Sequence, residues 1–214
     1  MSTLPSPSLE RRVRHYWIED GLAEMVVGAG FLPLAVLLAL SGQPHTDQAP
    51  FWRWVRAIYI VAFVVGTRWL VQRLKWRITY PRTGYLAYSR PRWERRLLRI
   101  VFVAAAFAGI AFLGLTLLAD RSRAYPLVLS LLMAGLYLGM AWSQAWPRGV
   151  GYALVALLSG WAALVWWDHP VWSDLVRHGA LHFAALGVAQ IVGGAWALWR
   201  YLNRHPKPIE EGTR

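Results

Sequence analysis

Long apolar runs separated by short polar links dominate the chain. Six of them match the ~20 residues that cross a hydrocarbon core, at 22–41, 54–72, 99–118, 125–145, 149–167 and 179–200. The pattern predicts an all-α integral membrane protein, a six-transmembrane-helix bundle folded as one membrane domain over 22–200. The second run is the least clean, with Arg56 and Arg68 near its two ends. Both can snorkel to headgroups along their apolar stems. Pro33 removes a backbone donor inside the first run and is expected to kink it. That run begins only after Asp20 and continues to about Leu40. A signal-peptide core of roughly 7–15 residues is shorter, so the run is read as a retained span. Within 1–21, Ser6 and Pro7 look like a helix start. The stretch 9–20, dense in Arg, His, Tyr and Trp, predicts an interfacial helix leading into the first span.

Basic residues orient this pattern. With the N-terminus inside, seventeen of the 23 Lys and Arg fall on the inner side and five on the outer, with Arg68 embedded. Both termini are therefore expected in the cytoplasm, including a tail over 201–214, and the expected location is a bacterial inner membrane. Trp52, Trp54, Trp166, Trp167 and Trp172 then mark an outer aromatic belt. Trp69, Trp76, Trp142, Trp146, Trp196 and Trp199 mark an inner one.

Composition sharpens this. Of 214 residues, 57% are hydrophobic and only 16% charged, against about a quarter charged in soluble domains. The chain has no Cys, which removes disulfides, thiolate nucleophiles and Cys-ligated metals. The net charge of +12 suggests nucleic acid at first sight. Its placement between apolar runs, mostly on one side, points instead to anionic headgroups of the cytoplasmic leaflet.

Small residues suggest helix contacts. Gly135/Gly139, Ala62/Gly66 and Ala156/Gly160 are four-residue steps, expected to pack helices within the bundle or to serve a dimer. The segment 21–29 resembles 187–195 at five of nine positions. The flanks do not match, and chance recurrence in Gly/Ala-rich helices is the expected explanation rather than an inverted repeat.

The cytoplasmic link 73–98 is the longest. Arg77, Ile78, Thr79 and Tyr80 form one short run rich in aromatic and β-branched residues, and 85–88 another, around Pro81 and Gly84. This predicts a short β-hairpin. Such a hairpin is marginal alone, so it is expected to lean on the bilayer, the bundle or a partner. Arg82 at its tip, with Arg90, Arg92, Arg95 and Arg96 behind it, forms a candidate docking or lipid-binding set. A bare topology anchor is the competing reading.

The stretch 14–24 (RHYWIEDGLAE) together with 79–85 (TYPRTGY) resembles a group of small bacterial polytopic membrane proteins. The resemblance covers about 18 of 214 residues. It implies a bacterial membrane protein and brings no activity with it.

Few polar groups could carry chemistry. Asp20 and Glu24 share one helix face at the cytoplasmic mouth of the first span. Ionisable groups in spans are expensive and often functional, so the pair is a candidate proton or cation site, or an ion pair with nearby arginines. His178 and His182 share a face near the outer end of the sixth span. They are a candidate Zn or Cu pair, or a polar helix end. Ser130, Ser143 and Ser159 lie in spans with no His or acid at a telling spacing. Gln144 and Gln190 are lone amides expected to bond other helices. No phosphate-binding glycine loop or nucleophile elbow occurs. The sequence implies no cofactor and no catalytic residue.

Three functions remain open. One is a non-enzymatic accessory or regulatory protein acting through a membrane partner or a second copy. Another is a small transporter or channel using Glu24, with Pro33 and Gln190 as lining groups. The third is a membrane enzyme.

Overall fold

The computed structural model describes residues 19–40, 49–83, 124–169 and 179–206. Every element among them is helical: α1 (Leu22–Leu40), α2 (Ala49–Ile78), α3 (Tyr80–Thr83), α4 (Ala124–Gln144), α5 (Pro147–Val165) and α6 (Ala180–Arg204). Five of these are long and apolar enough to cross a membrane. They correspond to five of the six expected spans. The third expected span, 99–118, lies outside the described residues, as do the interfacial helix before residue 19 and the tail after 206.

The β-hairpin expectation is corrected in its first half. Arg77 and Ile78 belong to the last turn of α2, and Tyr80 opens α3. The chain turns at Thr79, whose amide still bonds the Lys75 carbonyl at 3.0 Å. Pro81 sits in the first turn of α3, where its missing N–H would have no helical partner in any case. Strand preference at Ile78, Thr79 and Tyr80 is thus overridden by continuation of a long helix. The expected second strand, 85–88, lies outside the described residues.

The helices pack in the spatial order α2, α1, α6, α5, α4, and α1 with α6 is the most extensive pair. That pair runs antiparallel and is set by glycines. A Cβ on Gly28 would meet the Gly187 carbonyl oxygen at 2.6 Å, and one on Gly194 would meet that of Gly21 at 2.7 Å. The two segments that match in sequence are therefore packed face to face, with the first glycine of each against the last of the other. The likeness, expected above as chance recurrence, thus falls on a shared packing surface. α2 leans on α1 from outside. Tyr59 donates to the Gly30 carbonyl at 2.6 Å, beside the Ala29 carbonyl that Pro33 leaves without its helical donor, and Phe63 packs against Phe31.

One apolar cluster joins Leu34, Ala35 and Leu38 to Leu129 and Phe183. A second joins Tyr137, Tyr152, Ala156 and Leu186. Of the small-residue steps, Ala156/Gly160 is an internal contact, since Gly160 faces Ser130 and Pro126 of α4. Among the described residues, nothing lies within 4 Å of where a Cβ would stand on Gly66, Gly135 or Gly139. The outward faces carry large apolar side chains, including Trp54, Ile58, Val61 and Val65 on α2 and Trp142 on α4, as expected of surface that meets lipid.

Candidate functional site

The start of α1, the end of α2, the α4–α5 turn and the end of α6 meet at one end of the bundle. Two carboxylates are buried there. Asp20 lies in the turn before α1, which Gly21 makes with φ +66°. Gly21 approaches α6 too closely for a side chain, so the turn is pinned and Asp20 is fully buried. It caps α1 by accepting from the Leu22 amide at 3.2 Å. Its other oxygen accepts from Thr79 Oγ1 at 3.0 Å and pairs with Lys75 Nζ at 3.0 Å. Lys75 is itself buried. Capping bond, hydroxyl and ammonium together neutralise and saturate the carboxylate, which is what makes burial of both charges tolerable.

Glu24 follows one turn into α1. Trp146 Nε1 donates to one oxygen at 3.0 Å and Arg148 Nη2 reaches the same oxygen at 2.7 Å. The Tyr152 hydroxyl donates to the other at 2.5 Å. All three partners come from the α4–α5 turn and the start of α5. Trp146 is therefore turned inward, unlike Trp142, Trp196 and Trp199, which remain exposed. Close by, Gln190 Nε2 donates to the Tyr137 hydroxyl, and the Tyr137 and Tyr152 rings lie 5.8 Å apart. Gln190 occupies the position in its segment that Glu24 occupies in the matching one, so the two polar residues of the α1–α6 pair face the two tyrosines.

The opposite end carries a second cluster. His182 is buried at the start of α6. Its Nδ1 meets Ser159 Oγ at 2.7 Å and Ser130 Oγ at 3.5 Å. Both hydroxyls also donate to carbonyls one turn back in their own helices. Among the described residues, His182 Nε2 and Gln190 Oε1 are buried without a hydrogen-bond partner. His182 thus joins α4, α5 and α6 at a point where sequence spacing had offered no link between histidine and serine. Its expected companion His178 lies outside the described residues. Among the described residues, no three His, Asp or Glu converge as metal ligands.

Arg82 is half-buried, and its Nη1 donates to the His205 carbonyl at 2.9 Å, tying α3 to the end of α6. Arg90, Arg92, Arg95 and Arg96 lie outside the described residues. Arg148, Trp146, Tyr152 and Lys75 were not singled out as site residues by the sequence. Arg148 and Lys75 had signalled only as basic residues at an inner edge.

No family model matches this chain, and no solved structure does. Part of a glutamate–tRNA ligase from Salinispora tropica is similar, at 28% identity over 190 residues, covering 87% of this chain and 34% of that protein. The chain thus spans about a third of that relative's length.

Proposed function

We propose that the chain is a six-span protein of a bacterial inner membrane, with both termini cytoplasmic, that acts as a non-enzymatic accessory or regulatory subunit for a membrane partner. The observation that carries this reading is the saturation of Asp20 and Glu24. A carrier's ion site must exchange its ligand for solvent or solute. Here each carboxylate is held by a basic residue and two further donors of the same chain, so the pairs act as joints between helices. The basic residues of the same end suit the inner face of an anionic membrane. The Salinispora likeness covers too little of that ligase to bring aminoacylation here.

Native mass spectrometry of the protein extracted in mild detergent from its host tests the reading. A stoichiometric second polypeptide is the expected result. A bare protein, alone or as a homo-oligomer, would count against it.

A second reading, proton or cation movement through Glu24, is favoured by the string of Glu24, Tyr152, Tyr137 and Gln190 leading inward from the basic end. Proteoliposomes decide this. Flux abolished by Glu24→Gln with expression intact would support it, and the absence of any wild-type flux would remove it.

A further inference from the structure

The α4–α5 turn, the start of α5 and the last two turns of α6 enclose a cavity of about 230 Å³. We infer that this cavity binds the phosphate group of an anionic phospholipid. The inference rests on the membrane reading above and adds a ligand to it.

Among the described residues, Arg148, Arg200 and Arg204 line the cavity, against one carboxylate, Glu19. Arg148 directs one nitrogen to Glu24. Arg204 reaches Glu19 only at 4.0 Å, too long for a hydrogen bond. Arg200 lies over the Trp196 ring at 5.6 Å. That contact holds the guanidinium in place without using its N–H donors. Among the described residues, these two exposed arginines make no side-chain hydrogen bond, and their planar donor sets are of the kind that matches phosphate oxygens.

The first turn of α5 adds to the field. Trp146 at its N-cap makes no side-chain capping bond, and Pro147 follows it. Trp146 offers the positive end of the helix no carboxylate or hydroxyl of its own, and Pro147 and Arg148 are both in the cavity wall.

The apolar surface favours a lipid over a soluble phosphate. Trp196 belongs to the cavity wall, and Val192 and Val188 follow it at four-residue spacing along the exposed face of α6. This strip leads from the cavity toward the middle of the bundle, where an acyl chain attached to a bound headgroup would lie. Basic pockets between spans on the cytoplasmic side are a recurrent form of headgroup recognition.

The test is native mass spectrometry of delipidated protein in mild detergent, titrated separately with phosphatidylglycerol, phosphatidylcholine and inorganic phosphate. One phosphatidylglycerol should bind and persist where phosphatidylcholine is lost. An Arg200→Ala/Arg204→Ala variant should bind it roughly ten-fold more weakly, having lost two charge-assisted contacts. Arg73→Ala, at the same end but outside the cavity, should bind as the wild type does. Glu19→Gln should bind more tightly. Equal retention of both lipids, unchanged binding by the double variant, or the same loss in Arg73→Ala would overturn the site. Saturation by inorganic phosphate that phosphatidylglycerol does not displace would overturn the lipid as its source. Unfolding midpoints recorded for each variant separate loss of binding from loss of fold, and an Arg200→Lys/Arg204→Lys variant keeps the charge if the alanine pair fails to fold. Release of the protein from host membranes by alkaline carbonate would defeat the membrane reading itself, whatever the lipid titration gave.

Discussion

Gly28 of α1 stands so close to Gly187 of α6 that a methyl group on it would lie 2.6 Å from the Gly187 carbonyl oxygen. One heptad away, Gly21 and Gly194 repeat the contact in the opposite order. Backbone-to-backbone packing of this kind uses van der Waals contact in place of the hydrophobic drive that lipid removes.

Gly28→Ala should therefore destabilise the fold by about 1–3 kcal/mol, the usual penalty of overpacking. Gly135→Ala should have almost no effect, since no described residue lies within 4 Å of its Cβ position. Thermal unfolding in detergent compares the two, and equal midpoints would show that the α1–α6 contact is not this close.

Glu24→Gln should lower stability by roughly 3 kcal/mol, because it neutralises a buried carboxylate that Arg148 meets at 2.7 Å. Tyr152→Phe should cost about 1.5–3 kcal/mol, the range for a hydrogen bond to a charged group. Adding Arg148→Gln to Glu24→Gln should recover part of the loss. A double variant no better than the single one would mean that the ion pair is not what joins α1 to α5.

Ala145 closes α4 with φ +51°, and the Trp146 amide reaches back to the Ala141 carbonyl at 2.9 Å. This is the helix-ending geometry in which glycine is the usual occupant. Ala145→Gly should raise stability by about 0.5–1 kcal/mol, after the greater chain entropy of glycine offsets part of the relieved strain. A lowered unfolding midpoint would contradict the left-handed turn.

The two serines around His182 should not be equivalent. Ser159→Ala removes the 2.7 Å contact and should cost about 0.5–1.5 kcal/mol. Ser130→Ala removes one at 3.5 Å and should cost less. If Ser130→Ala proved the more damaging, the histidine would be held from α4 and not from α5.

Much of the fold was legible in the apolar runs, and the particulars show why. Expected spans at 22–41 and 125–145 became Leu22–Leu40 and Ala124–Gln144, because Gly21 and the Ala145–Trp146 turn bound the apolar stretch and the helix alike. The run at 54–72 understated α2, which spans Ala49–Ile78. Hydropathy marks where lipid ends, but helical hydrogen bonding carries on through Arg73, Lys75 and Arg77. Asp20 and Glu24 stood out because charge beside an apolar run is conspicuous. Their partners did not, because Lys75 and Arg148 lie far along the chain, and only packing brings them near. The matched glycine segments held the α1–α6 contact in plain view. An antiparallel pair aligns one segment with the reverse of the other, a relation that comparison along the chain does not reveal.

The glycine pairing also bears on how the protein is made. Gly28 and Gly187 are over 150 residues apart, and synthesis runs at roughly 5–20 residues per second. After leaving the ribosome, α1 therefore waits on the order of ten seconds or more for its main partner. During that time Glu24 also awaits Trp146, Arg148 and Tyr152. A newly inserted α1 thus spends its first moments without its main packing partner and with the Glu24 carboxylate unmatched by Arg148. Surveillance proteases and insertion factors of the host would meet it in that state, and a ribosome stalled before α6 should leave it open to them.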